Sequence, residues 1–322
     1  MTEVPRVLLH NRTTEPMEGW FKEAFPEVAC RTCDSYEALP DALSSFQPEV
    51  VYSVRFAGTP AYPREALFGQ GGPRWIANGG AGTDHLGIWD PNRTVVTNAA
   101  GVAAHMMAEY VMGCFLHFTL DIPGLHQDKL NRAWNARSVR PLAGKTLLIV
   151  GLGHTGSAIS ARAKAFGMQV IGTRARPVPM EHVDEVYAAD ALDEILPQAD
   201  FVAVCTPLIP ATRRLLSAER IAKLAPGVIF ADVSRGGVVD QAALASALQS
   251  GHVAAAALDV FETEPLPPDS PFWQLPNVIV SPHCSSVFDG WEEASFRFFL
   301  TNFERWMAKE ELLNVVNPDR GY

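Results

Sequence analysis

"TLLIVGLGHTGSA", residues 146–158, decides the reading of this chain. An apolar run ends in Gly151, Gly153 and Gly156, spaced G-x-G-x-x-G, and a helical stretch follows. A strand, a tight turn and a helix opening are the setting in which this pattern holds a dinucleotide. Gly151 makes the turn, Gly153 lets the backbone approach a pyrophosphate, and Gly156 lets helix and strand pack closely. The free N–H groups near His154 and Thr155, at the helix N-terminus, attract the phosphates.

Five more apolar runs follow: "QVIGTR" (169–174), "FVAVCT" (201–206), "VIFADVS" (228–234), "AAALDV" (255–260) and "VIVSPH" (278–283). Runs without alternation suit strands buried on both faces, and the connections have room for crossover helices. Upstream, "RVLLH" (6–10), "VVYSV" (50–54), "WIAN" (75–78) and "VVTN" (95–98) make a smaller series of the same kind. Between the two series, 101–120 reads as a long apolar helix. At the end, 291–313 reads as an amphipathic helix whose Phe296, Phe299, Phe303 and Trp306 recur at helical spacing and return to the first unit's core. The expected fold class is α/β with two doubly wound parallel-sheet domains and a cleft between them. A Rossmann-type cofactor domain would occupy 101–289, and a smaller flavodoxin-like substrate domain 1–100 with 290–322. Hinges are expected near 99–103 and 286–292.

Bulk properties exclude several classes. Of 322 residues, 48% are hydrophobic and 19% charged, ordinary for a soluble globular chain. A net charge of −10 argues against nucleic acid as partner, and requires that an anionic substrate meet local positive charge. Five cysteines, without disulfide-framework spacing, fit the reducing cytoplasm. Cys30 and Cys33 form C-x-x-C in a short strand, where an offset of three puts them on opposite faces, and no second Cys/His pair stands nearby. No metal is expected. No run reaches the ~18 apolar residues of a membrane span, and "MTEVPRVLLHNR" does not read as a signal peptide.

The cofactor type rests on the segment after the second cofactor-domain strand. An NAD site places an acid about 20 residues past the fingerprint, on the adenine ribose. This chain offers Thr173, Arg174 and Arg176 instead. A carboxylate would repel the 2′-phosphate of NADP, whereas a guanidinium can bind it bidentately. NADP(H) is therefore the expected cofactor. The alternative is that the arginines are solvated loop charges and NAD binds without its acid.

Polar residues at three strand ends supply the reacting groups. Arg235 ends "VIFADVSR", Asp259 and Glu264 lie in "ALDVFETEP", and His283 ends "VIVSPH". Ligands of open parallel sheets sit outside the carboxyl ends of the strands, so these residues should converge. The types suit hydride transfer to a 2-oxo acid. A guanidinium can hold the carboxylate and polarise the carbonyl, a histidine can give the carbonyl oxygen its proton, and a carboxylate beside it can orient the ring.

"NGGAGTDHL" (78–86), "VTNAAGVAAHMMAEY" (96–110), "GLGHTG" (151–156), "CTPLIPATRRLL" (205–216), "SRGGVVD" (234–240), "ALDVFETEPLP" (257–267) and "SPHCSS" (281–286) together resemble the D-isomer-specific 2-hydroxyacid dehydrogenase family, in the family's order. The resemblance implies Arg235 as substrate anchor, His283 as acid/base and Glu264 as its partner. It implies that Asp259 holds the nicotinamide carboxamide and that Gly80, Ala81 and Gly82 donate backbone N–H groups to the substrate carboxylate. Thr206, Pro207 and Thr212 would line the cofactor, Val233 and Ser234 would approach the nicotinamide side, and Ser285 would join the cofactor site. His154 stands where the family often has Arg, and "NAAG" where it often has "NTPG".

With NADP(H) and a small glycine loop, the leading expectation is a glyoxylate/hydroxypyruvate reductase, with Arg55 a candidate second cation and Trp134 a candidate cap on a neighbouring subunit's site. Alternatives are another dehydrogenase of the family, acting on a larger 2-oxo acid or phosphoglycerate, or a dinucleotide-sensing binding protein. With few residues after the last helix, the regulatory domain of long phosphoglycerate dehydrogenases is not expected here. The apolar helix 101–120 and the resemblance together imply a homodimer through the cofactor domain.

Overall fold

Four-residue apolar runs in the first hundred residues become the strands of one parallel sheet. This computed structural model describes residues 4–56 and 62–318. Contacts divide the chain into two units, Met1–Val102 with Asp289–Tyr322, and Ala103–Phe288. In the first, β1 (Val7–His10), β2 (Cys30–Cys33), β3 (Val50–Ser53), β4 (Trp75–Asn78) and β5 (Val95–Asn98) run parallel in the order β2-β1-β3-β4-β5. That is the flavodoxin-like order. Helices α1 (Glu15–Ala24), α2 (Leu39–Phe46) and α3 (Arg64–Phe68) connect the strands. Both sheet faces are covered, which is why β1, β3 and β4 are buried along their whole length.

The last helix, here α10 (Trp291–Ala308), belongs to this unit. Its Phe296, Phe299 and Phe303 are buried with Phe21, Tyr52 and Trp75 in one cluster. Burying each aromatic ring contributes about 2–3 kcal/mol. The helix stops before 313 because Lys309 takes a left-handed φ of 59°. Cys30 packs with the Phe21 cluster and Cys33 with Leu39 and Leu43, so the two thiols do face opposite sides of the sheet. All five cysteines are free, and no metal-binding group of His, Cys, Asp or Glu occurs among the described residues.

The second unit holds seven parallel strands: β6 (Thr146–Val150), β7 (Gln169–Thr173), β8 (Glu185–Tyr187), β9 (Phe201–Val204), β10 (Val228–Asp232), β11 (Val253–Leu258) and β12 (Val278–Val280). Their order, β12-β11-β10-β9-β6-β7-β8, reverses between β6 and β9, as in a dinucleotide-binding Rossmann sheet. Helices α4 (Ala104–Thr119), α5 (Ile122–Asn131), α6 (His154–Ala165), α7 (Leu192–Ile195), α8 (Ala218–Ala222) and α9 (Gln241–Gln249) belong to it. The apolar helix expected over 101–120 is α4, and it buries Val111, Met112 and Phe115 against the sheet.

Two elements were not legible beforehand. Strand β8 has three half-exposed or exposed residues and no apolar pattern. Helix α5 starts because Asp121 adopts a left-handed φ of 50°, breaking α4, and its Oδ1 accepts the Gly124 N–H at 3.1 Å, with Pro123 in the first turn. Among the described residues no helix is long and apolar enough to cross a membrane.

Candidate active site

The fingerprint loop leaves β6 at the strand-order reversal. Gly151 has a φ of 108°, and a Cβ there would stand 2.9 Å from the Thr206 nitrogen. A Cβ on Gly156 would stand 2.3 Å from the Gly151 carbonyl oxygen. Gly153 differs: a Cβ would meet nothing within 4 Å, so its outer side is open to a ligand. It is also the N-cap of α6 and supplies no side-chain cap, which leaves the first-turn N–H groups available. This cradle fits a dinucleotide pyrophosphate. The loop is braced by Cys205, whose thiol donates to the Gly151 carbonyl at 3.0 Å. Burial pushes that thiol up to about 12, so it stays protonated and inert.

Beyond the ends of β10, β11 and β12, three side chains meet. His283 Nδ1 lies 2.9 Å from Glu264 Oε2, and His283 Nε2 lies 3.4 Å from Arg235 Nη1. Glu264 is held in turn, its Oε1 accepting the Phe261 N–H at 2.9 Å. Burial alone would raise the Glu264 carboxyl. The hydrogen bonds from His283 and Phe261 and the charges of His283 and Arg235 outweigh it and hold the group below the ordinary carboxylate range. Glu264 is therefore ionised at neutral pH and anchors the Nδ1 side of the ring. Arg235 Nη1 also donates to the Ser234 carbonyl at 2.7 Å, which aims the guanidinium.

His283 stands in a left-handed conformation, φ 52°, costly for a residue with a Cβ. Asp259 holds it there. The His283 N–H donates to the Asp259 carbonyl at 2.9 Å, and the buried Asp259 carboxylate accepts from the Ser281 hydroxyl, the Cys284 N–H, and both the N–H and the hydroxyl of Ser285. Tyr110 on α4 extends this network through Ser281 at 2.7 Å.

Several of the expected cofactor residues also have partners inside the protein. Both Asp259 oxygens and the Ser285 hydroxyl serve the loop that carries His283, where a nicotinamide contact was expected of Asp259 and a cofactor contact of Ser285. The Thr212 hydroxyl donates to the Pro207 carbonyl at 2.6 Å and accepts the Ile209 N–H at 2.8 Å, shaping the loop that follows β9. The Ser234 hydroxyl donates to Asp232. Thr206 and Pro207 open the loop after β9, and Val233 is buried beyond β10. Thr173 is buried at the end of β7, whereas Arg174 and Arg176 are exposed and make no ion pair among the described residues. His154 is exposed and Thr155 half-buried at the start of α6. Asp232, Ser281 and Tyr110 were missed. An acid ending the otherwise apolar "VIFAD" was the one available signal.

In the first unit, the loop after β4 is drawn inward by its carbonyls. Asn78 Nδ2 donates to those of Gly80 and Gly82 at 2.7 and 3.0 Å, and Asn98 Nδ2 to that of Ala81 at 2.8 Å. The N–H groups of Gly80, Ala81 and Gly82 donate to nothing among the described residues. Arg55 is more than half exposed, 3.9 Å from Asp84.

Residues 112–285 match the family model described as D-isomer specific 2-hydroxyacid dehydrogenase, NAD binding domain. A D-3-phosphoglycerate dehydrogenase of Methanocaldococcus jannaschii is 34% identical over 248 residues, 75% of this chain. The chain spans 47% of the length of that curated relative. A solved D-isomer specific 2-hydroxyacid dehydrogenase from Xanthobacter autotrophicus Py2, in complex with NADPH and MES, aligns with a TM-score of 0.81 at 31% identity, covering 99% of this chain and 100% of that one. An NADPH-dependent glyoxylate/hydroxypyruvate reductase from Sinorhizobium meliloti, in complex with NADP and sulfate, gives 0.82 at 26% identity, with 99% and 100% covered. The cofactor of the second unit is NAD(H) or NADP(H). On its strand order, its fingerprint and these matches, the chain belongs to the D-isomer specific 2-hydroxyacid dehydrogenase family.

Proposed function

We propose that the protein transfers a hydride between NADP(H) and a 2-oxo or 2-hydroxy acid, with Arg235, Glu264 and His283 as its catalytic residues. The observation that carries this is the Glu264–His283–Arg235 chain of contacts at the strand ends. The dinucleotide supplies or takes up the hydride when bound. Arg235 binds the substrate carboxylate and polarises the carbonyl beside it. His283 donates its Nε2 proton to the carbonyl oxygen during reduction and takes it back during oxidation. Glu264 keeps Nδ1 engaged, so the proton moves only at Nε2. Within the first unit, the N–H groups of Gly80, Ala81 and Gly82, which donate to nothing among the described residues, are a candidate carboxylate-binding element, and Arg55 a candidate cation for a second acidic group. Thr206, Pro207 and Val233 line the cofactor.

The exposed Arg174 and Arg176, which make no ion pair among the described residues, favour NADP(H) through the adenosine 2′-phosphate. Two substrate classes stand. The curated relatives point to a phosphorylated three-carbon acid, as the name D-3-phosphoglycerate dehydrogenase says of the archaeal one. The NADP-bound neighbour points to glyoxylate or hydroxypyruvate. Steady-state reduction of 3-phosphohydroxypyruvate, hydroxypyruvate and glyoxylate, each with NADPH and NADH, separates them by kcat/KM. We expect an NADPH advantage that falls at least tenfold in Arg174→Asp, which replaces the guanidinium by a repelling carboxylate. Equal use of both cofactors by the unaltered protein would end the NADP reading. No turnover of any of the three acids would end the present substrate assignment.

We further propose a homodimer in the cytoplasm. Helix α5 buries none of its residues, and Leu130 and Trp134 are 62% and 101% exposed, beside exposed Ile122, Leu125 and Val139. The apolar surface lies on this arm more than on α4, where the sequence had suggested it. A second copy would cover it, and Trp134 would then reach the neighbour's site. Sedimentation equilibrium at micromolar concentration should give twice the 35.1 kDa chain mass, falling to one in Leu130→Asp. A monomeric unaltered protein would sink this reading.

A further inference from the structure

Asp232 is a buried carboxyl beneath the anion grip that the reading above does not use. It ends β10, between Val204 of β9 and Leu258 of β11, and is 1% exposed. Its Oδ1 accepts both the N–H of Ser234, at 3.0 Å, and the Ser234 hydroxyl. The Ser234 carbonyl accepts Arg235 Nη1, so the chain of contacts runs from Asp232 through Ser234 to the guanidinium and on to His283. Among the described residues, the other oxygen, Oδ2, accepts no hydrogen bond.

Asp259 lies beside it, joined through its N–H to the Asp232 carbonyl at 3.0 Å. The two buried carboxyls are satisfied unequally. Asp259 accepts from Ser281, Cys284 and Ser285, whereas among the described residues Asp232 accepts from Ser234 alone.

We propose that Asp232 is a positioning residue for Arg235 whose charge sets how strongly the guanidinium attracts an anionic substrate: it fixes the Ser234 turn from beneath and, when ionised, sets a negative charge behind the grip. This rests on the reading of Arg235 as the substrate anchor. The charged and titratable groups facing Asp232 are Arg235 on its own turn, Asp259 at the end of β11, and Cys205 after β9. Burial raises the Asp232 carboxyl to about 7. The Ser234 hydrogen bonds and the Arg235 charge oppose that shift, and the Asp259 charge adds to it. Asp232 thus changes charge across neutral pH, turning from a neutral carboxyl into a carboxylate that competes with the substrate's own.

The test is direct binding of oxamate to the 322-residue protein loaded with NADPH, read by nucleotide fluorescence from about pH 6 to 9. To keep the imidazole out of the titration, the measurement is made in His283→Gln. In that background, affinity should fall roughly tenfold as pH rises through neutrality, the scale of one unit charge added next to the guanidinium's turn. Adding Asp232→Asn should abolish the fall and hold the Kd at its acidic value. A fall of the same size with Asp232→Asn, or an equal loss of affinity at both ends of the range, would overturn the proposal. Ser234→Ala keeps the charge but loses one hydrogen bond. It should weaken binding at every pH while retaining the slope, and a flat profile would also count against Asp232. Should Asp232→Asn fail to fold, Asp232→Ser carries the same prediction for the slope. Arg235→Gln separates the two readings: oxamate bound as tightly without the guanidinium would refute the anchor itself, whatever Asp232 does.

Discussion

Replacing Arg235 with glutamine should lower kcat/KM for a 2-oxo acid by about a thousandfold, through both a lower kcat and a higher KM. Two duties are removed together. On the proposed mechanism the guanidinium binds the carboxylate in ground and transition state alike, which sets KM. It also stabilises charge developing on the carbonyl oxygen, and losing one such donor costs roughly 10²–10³ in kcat. Lysine should restore part of the binding and little of the kcat, because an ammonium is a point charge without a planar fork. NADPH binding should be unchanged, since the cradle at Gly151–Gly156 is a separate loop. A variant with near-normal kcat and only a raised KM would reduce Arg235 to a binding residue.

Gly236→Ala should be nearly as damaging, for a steric reason. A Cβ at this position would stand 1.9 Å from the Phe261 carbonyl oxygen and 2.8 Å from the Glu262 nitrogen, both backbone atoms. Nothing flexible can yield, so the Arg235 turn and the segment leading to Glu264 must separate. The Phe261 N–H holds Glu264 Oε1, so the displacement passes to the partner of His283. A misplacement near 1 Å can cost about a hundredfold in rate, and overpacking typically costs about 1–3 kcal/mol in stability. We expect kcat to fall at least a hundredfold, with a lowered melting temperature and cofactor binding retained. Full activity in this variant would show that the two loops have slack and would end this steric argument.

The alternation of apolar runs with helix-length connections, the fingerprint at Gly151, and Arg235 and His283 at strand ends could all be read in order along the chain. Each depends on near neighbours in sequence: strand burial on an unbroken apolar run, a tight turn on residues without Cβ, a strand-end position on where the run stops. The sequence also carried the two exposed arginines after β7, because the feature there is the missing acid.

What each polar group is bonded to came only with the tertiary structure. The internal partners of Asp259 appear only once the sheet sets β11 beside β12 and brings Ser281, Cys284 and Ser285 onto its oxygens. Asp232 and Gly236 acquire their roles the same way, from a buried strand end and from a backbone contact with Phe261 across the loop pair. Strand β8 exists because β7 offers it an edge, not because its residues are apolar. Hydrogen-bond partners 20 or more residues apart are chosen by sheet register and burial, and neither is a property of a local stretch.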